Sequence, residues 1–150
     1  MFIDINEEDV GKDLNVDLCI VGAGAAGISL ALAMNEKNVS VSLLESGGWK
    51  YDQEVQDLNI GENVGLNYFP LAISRLRYLG GTTNHWEGQS APLDAEDFIK
   101  RSWVPDSGWP ISYDEFAPYL KEAEEICGVP CGPYRWDYWR RQADERAFPL

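Results

Sequence analysis

An α/β fold with parallel strands is predicted by three observations. Residues 16–21 and 39–44 are mainly apolar segments of strand length. Between them, residues 25–34 read as one unbroken apolar helix. The turn Gly22-Ala-Gly24-Ala-Ala-Gly27 joins the first strand to that helix.

Each part of this βαβ unit, residues 16–45, has a physical task. A sharp reversal needs Gly22, a phosphate can approach the backbone only where Gly24 lacks a side chain, and Gly27 lets the helix lie close on the strand. The N–H groups that open the helix, around Ala25 and Ala26, carry partial positive charge and can hold an anion without any lysine. The second strand ends at Glu45, where a carboxylate can accept both hydroxyls of an adenosine ribose. No arginine stands beside Glu45 in the sequence, which disfavours a 2′-phosphate. Strand, turn, helix, strand and acid in this order bind dinucleotides; the alternative is a structural βα turn. NAD and FAD present the same adenosine and pyrophosphate, so these residues do not separate them.

Composition narrows the partners. The 150 residues are enough for a sizeable core, and 25 acids against 12 bases give a net charge of −13. Such a surface repels phosphate backbones and anionic lipid, which argues against nucleic-acid and membrane-surface binding. The opening residues are acidic and lack the basic and apolar regions of a secretory signal, and the longest apolar stretch is far too short to span a bilayer. A cytoplasmic protein is expected. Three cysteines do not make a disulfide scaffold, and Cys19 lies in a strand that should be buried. Cys127 and Cys131 form a C-x3-C pair, yet the single histidine leaves no obvious third and fourth soft ligand, so no metal site is expected.

Beyond Glu45 regular structure is doubtful for about twenty residues. Residues 75–88 hold two glycine signals with small hydroxyl residues between them, which implies a loop with backbone donors. Residues 91–111 carry Pro92, Pro105 and Pro110 with Trp103 and Trp109, a layout of turns pinned by aromatic burial. Ser112 and Glu115 form a capping box that starts a helical segment over 112–127, with Phe116, Leu120, Ala123 and Cys127 on one apolar face. Pro118 either kinks that helix or restarts it. Residues 1–15 form a lead, 16–130 the main domain, and 131–150 a tail with no closing strand.

Taken in order, four landmarks resemble the amino-terminal region of the glucose–methanol–choline family of FAD-dependent oxidoreductases, over residues 13–130. They are Asp17-Leu-Cys-Ile-Val-Gly22-Ala-Gly-Ala-Ala-Gly27, Leu44-Glu45-Ser46-Gly-Gly48, Arg75-Leu-Arg77-Tyr-Leu-Gly80-Gly81-Thr82-Thr83-Asn84-His85-Trp86 and Ser107-Gly-Trp-Pro-Ile111. The Gly-Gly-Thr-Thr-Asn-His-Trp form looks nearest to the pyranose oxidase and sugar dehydrogenase branch. The resemblance implies a Rossmann-like FAD-binding unit with an irregular flavin-contacting loop, part of an incomplete doubly wound fold. It implies FAD as cofactor, held by Gly22, Gly24, Ala25, Ala26, Gly27, Glu45 and Ser46, and by Gly80, Gly81, Thr82, Thr83, Asn84, His85 and Trp86. His85 is expected to meet the flavin, either through a covalent bond to the ring or by adjacency alone.

A Gly-Gly-Thr-Thr loop suits that role physically. Its backbone N–H groups can line the pyrophosphate and the isoalloxazine, and Thr82 and Thr83 add hydroxyl donors. The bland alternative is a turn with local side-chain bonds. Arg75 and Arg77 can reach phosphate or bridge to acids such as Glu62. The family oxidises CH–OH groups of alcohols or sugars by hydride transfer to flavin, with a proton-accepting histidine near the end of a much longer chain. That base is not found here, so the resemblance implies no catalytic residue within these 150, inactivity alone, and a missing carboxyl-terminal segment that supplies the later strands. Two other readings stay open: an NAD- or adenylate-binding regulatory module, and an inert truncated fragment.

Overall fold

Two strands, β1 (Leu18–Val21) and β2 (Val41–Leu44), run parallel with Leu18 opposite Val41 and Val21 opposite Leu44. The computed structural model describes residues 2–6, 13–88, 90–129, 138 and 141, and the chain divides into two units, Met1–Glu87 and Gly88–Leu150. Both strands begin later than their apolar runs, for a local reason. The Asp17 N–H donates to the Ser40 hydroxyl oxygen at 2.9 Å, while the Ser40 N–H and hydroxyl donate to the Asp17 carboxylate at 3.0 and 2.6 Å. Side chains thus occupy backbone groups that a longer ladder would have used. The same bonds, the Ser40 hydroxyl first, hold the Asp17 carboxyl below its ordinary pKa.

The connecting helix α1 (Ala25–Glu36) runs two residues past the predicted end. It stops where Asn38 takes a left-handed φ of 57°, a conformation asparagine tolerates, and where the Lys37 and Val39 N–H groups close onto the Met34 carbonyl at 3.0 and 3.1 Å. Against α1 the strands bury Ile20, which lies beside Gly27. Successive strand residues face opposite ways, so Cys19 and Val21 point to the other face. That face is bare: Val21 is 83 % exposed, and Cys19, expected to be buried, is exposed because only one side of the sheet is covered.

Past β2 the structure is more regular than expected. Asp52 accepts the N–H groups of Glu54 and Val55 at 2.8 and 3.1 Å and so caps a short helix, α2 (Gln53–Asp57). A further single turn, α3 (Leu71–Ser74), follows Pro70. An irregular stretch then leads to a tight 3-10 turn over Gly81–His85.

The second unit is organised by Phe98, not by the tryptophans. A capping box between Asp94 and Asp97 sets the turn Ala95–Phe98 and delivers Phe98 to a site where it is buried, with ring centroids of Phe116 at 5.1 Å, Tyr113 at 5.7 Å and Trp109 at 6.4 Å. Trp103 and Trp109 are both exposed, which corrects the expected aromatic burial. The predicted capping box is present: the Ser112 N–H donates to Glu115 Oε2 at 2.8 Å and the Glu115 N–H to Ser112 Oγ at 3.3 Å. It opens α4 (Tyr113–Phe116). Pro118 then sits in a tight turn, Ala117–Tyr119, and α5 (Leu120–Cys127) resumes until Gly128. Of the predicted apolar face, Phe116 and Leu120 are half-buried, whereas Ala123 and Cys127 are exposed. Apart from residues 138 and 141, the predicted tail and Cys131 lie outside the described residues. Among the described residues no helix is long and apolar enough to cross a membrane.

Candidate functional site

The end of β1 and the end of β2 are fastened together before the glycine turn begins. The Gly22 N–H donates to the Leu44 carbonyl at 2.7 Å, which prolongs the parallel ladder by one bond. A Cβ on Gly27 would run into the Gly22 carbonyl, so this glycine is required by the close approach of α1 to the turn. Gly24 differs. Its backbone is extended and a Cβ there would meet no protein atom within 4 Å. The first bond of α1 runs from the Ile28 N–H to the Gly24 carbonyl at 3.0 Å, so the N–H groups ahead of Ile28 precede the helical ladder. No acidic side chain stands in that first turn to compete for them.

Onto this turn docks the second glycine loop. The Gly80 N–H donates to the Ala23 carbonyl at 2.8 Å, Gly80 bridges Gly24 in parallel, and a Cβ on buried Gly81 would stand 3.3 Å from the Gly24 Cα. The Leu79 N–H reaches the Gly48 carbonyl at 3.0 Å, so the loop after β2 joins the same junction. An open cavity of about 510 Å³ lies here. Gly22, Gly24, Ala25, Ala26, Gly27 and Leu30 line one side and Gly80, Thr82 and Thr83 the other.

Other residues of the second loop turn inward or away. Thr83 gives its hydroxyl proton to the Gly80 carbonyl, Thr82 Oγ1 accepts the Leu76 N–H at 3.2 Å, and Asn84 Nδ2 donates to the Leu79 and Gly81 carbonyls at 2.8 and 3.1 Å. The Thr83 hydroxyl, expected as a ligand donor, is thus engaged within the loop, while Thr82 keeps its proton. His85 and Trp86 are exposed and form no part of the cavity wall.

Glu45 is half-buried and ties two loops. Its Oε2 accepts the Ala23 N–H at 2.8 Å; its Oε1 accepts the Gly47 N–H at 3.1 Å and the Ser46 hydroxyl at 3.2 Å. Burial pushes this carboxyl up, but the bonds from Ala23, Gly47 and Ser46 outweigh it and leave the pKa below the ordinary glutamate value. Arg77 Nη1 donates to Ser46 Oγ at 3.1 Å. An arginine remote in sequence therefore does stand next to the Glu45 loop. Arg77 Nε donates to Asn59 Oδ1 at 3.1 Å, and Arg75 lies 6.0 Å over the Tyr68 ring. Neither forms an ion pair with Glu62.

Sequence reasoning misses Gln56, which is 2 % exposed. Its Nε2 donates to the Ala72 and Arg75 carbonyls at 2.7 and 2.6 Å, and its Oε1 accepts the Arg77 N–H at 3.1 Å. The signal that could have placed it is Asp52, whose side chain at the head of a short segment marks a helix start.

The two parallel strands, the crossover helix and the glycine turn make a βαβ unit, and residues 20–86 match the family described as NAD(P)-binding Rossmann-like domain. Among curated proteins, 2-methyl-1,2-propanediol dehydrogenase of Mycolicibacterium austroafricanum is 28 % identical over 137 residues, covering 75 % of this chain and 24 % of its own length. The fructose dehydrogenase large subunit of Gluconobacter japonicus is 29 % identical over 152 residues, covering 79 % of this chain and 28 % of itself. The mitochondrial electron transfer flavoprotein-ubiquinone oxidoreductase of Arabidopsis thaliana is 32 % identical over 105 residues, covering 66 % of this chain and 14 % of itself. The chain thus spans about a quarter of the first two relatives. No solved structure matches it.

Proposed function

We propose that the junction of Gly22–Gly27, Glu45 and Gly80–Thr83 holds FAD, in the amino-terminal portion of an oxidoreductase of glucose–methanol–choline type that acts on CH–OH groups of alcohols or sugars. The observation that carries this reading is Gly24. Nothing in the protein requires a glycine there, since its φ of −79° suits any residue and a Cβ would enter open space beside the cavity. What a side chain would obstruct is a ligand, and the N–H groups at the start of α1 favour an anionic one.

The residues present fit a dinucleotide. Backbone donors of the first turn would bind the pyrophosphate, Glu45 would orient the ribose, and the Gly80–Thr83 loop would border the flavin side. When bound, the flavin supplies a hydride acceptor. Two relatives bear the names of a diol dehydrogenase and a fructose dehydrogenase, and the third bears that of an oxidoreductase for an electron transfer flavoprotein. Those names support alcohol or sugar oxidation in a whole enzyme, with the proton acceptor and the remaining strands supplied by a further segment. These 150 residues alone are expected to give no dye-linked turnover.

The family description favours a second reading, NAD as the ligand. Titration of the purified chain with FAD and with NAD separates the two. FAD binding tighter than NAD, with flavin absorbance that copurifies, supports the first; preference for NAD overturns it.

A further inference from the structure

We propose that Gln56 is the positioning residue of the Gly80–Gly81 loop, setting the flavin side of the cavity without touching it. The proposal rests on the dinucleotide reading above.

Gln56 is 2 % exposed, yet all three of its hydrogen-bonding functions are used, and every partner lies outside its own helix. The partners are the Ala72 and Arg75 carbonyls and the Arg77 N–H, backbone groups of a stretch with no strand ladder to satisfy them. A primary amide meets that demand because it combines two donors with an acceptor. A carboxylate would set oxygen against two carbonyls, and an apolar side chain would take the Gln56 bonds from the Ala72 carbonyl and the Arg77 N–H and leave the Arg75 carbonyl only the 3.4 Å bond from Asn59 Nδ2. Asn59 adds a second hold on the same stretch through the Arg77 guanidinium.

From Arg77 the chain has little freedom before it reaches the cavity. Tyr78 takes the Gly81 N–H on its carbonyl at 2.7 Å, Leu79 is tied to Gly48, and Gly80 to Ala23. The Gln56 amide therefore anchors one end of a short span whose other end lies against Gly24. The adenosine side stands on Gly22–Gly27 and on Glu45, whose bonds to Ala23 and Gly47 are made without the Gln56 amide; the held stretch meets that side at Ser46, through the Arg77 guanidinium, and at Gly47, against the Arg77 backbone.

The test compares FAD with AMP, which lacks the flavin half, on the full chain and its Gln56→Met form, together with amide hydrogen exchange. Loss of two or three net hydrogen bonds should weaken FAD by about tenfold or more and leave AMP within about twofold. The Arg77 and Gly80 amides should lose protection, and the Gly22 and Ile28 amides should keep it. Equal loss of FAD and AMP, or unchanged FAD with unchanged exchange, overturns the proposal. If wild type binds neither ligand while the Gly80 amide still loosens in the variant, the cofactor reading falls and the hold of Gln56 on the loop stands. Should Gln56→Met fail to fold, Asn59→Ala reads the same stretch from its surface side. It should lower FAD affinity by about threefold with AMP unchanged, and a matched effect on both overturns the proposal.

Discussion

The backbone N–H of Ala23 donates to the carboxylate of Glu45 at 2.8 Å, so the acid that ends the second strand is fastened to the turn that ends the first. One side chain thereby ties the glycine turn after the first strand to the loop after the second.

Replacing Glu45 with alanine should loosen FAD by one to two orders of magnitude, since a charge-assisted bond contributes about 1.5–3 kcal/mol. Acid should act in the same direction. The folded pKa of Glu45 is depressed, so its contribution is present above the unfolded value and is lost as pH falls through the lower folded value. FAD affinity should hold level at neutral pH and drop only in the acid range, below the ordinary glutamate pKa. Calorimetric titration across pH checks both, and an affinity indifferent to Glu45→Ala would remove the residue from the site.

Gly24 and Gly27 should separate ligand from scaffold. A Cβ at position 24 meets no protein atom within 4 Å, so Gly24→Val should keep a melting temperature near that of wild type and abolish cofactor uptake. Alanine at position 27 strikes the Gly22 carbonyl, so Gly27→Ala should lower the melting temperature itself. Stoichiometric FAD in Gly24→Val would make the turn structural only.

His85 closes the turn Gly81–His85 and is exposed outside the cavity wall. Acid precipitation of the flavin-loaded protein should release the yellow colour from wild type and from His85→Ala alike. Colour retained in the wild-type pellet and released from the variant would establish the covalent link instead.

The second unit depends on one ring. Phe98→Ala should cost about 3 kcal/mol, the lower end for a buried phenylalanine, because the surrounding Trp109 is itself exposed. Denaturant unfolding followed by tryptophan fluorescence would record it. A change below about 1 kcal/mol would mean that the aromatic cluster contributes little.

Much of the site is legible from local pattern alone. Strand, turn, helix and Glu45 follow one another within thirty residues or so, and the constraints that place them act between near neighbours. The Gly80–Gly81 loop is recognisable as a donor-rich segment for the same reason. Its docking on Gly24 is not, because that meeting depends on bonds from Gly80 to Ala23 and from Leu79 to Gly48 between segments remote in sequence. Gln56 and the partners of Arg77 escape notice for a related cause. Both Gln56 and Arg77 are polar residues in a polar stretch, and what distinguishes them is partners no periodicity encodes: backbone groups of 72–77 for one, Ser46 and Asn59 for the other. Cys19, Trp103 and Trp109 mislead in the opposite sense. An apolar residue announces a wish for cover, and only the surrounding chain decides whether it is granted.

The bare side of the small sheet bears on how copies of this chain treat one another. β1 is paired on one edge only among the described residues, and Val21 and its strand partner Leu44, 83 % and 47 % exposed, are apolar. Open edges of this kind template association between chains. Opposing it is the net charge of −13, a mutual repulsion that reaches about 10 Å in 0.1 M salt and only about 3 Å in 1 M. Ionic strength thus sets how closely two molecules may come, and concentrated salt turns a self-avoiding polyanion into a self-adhesive one.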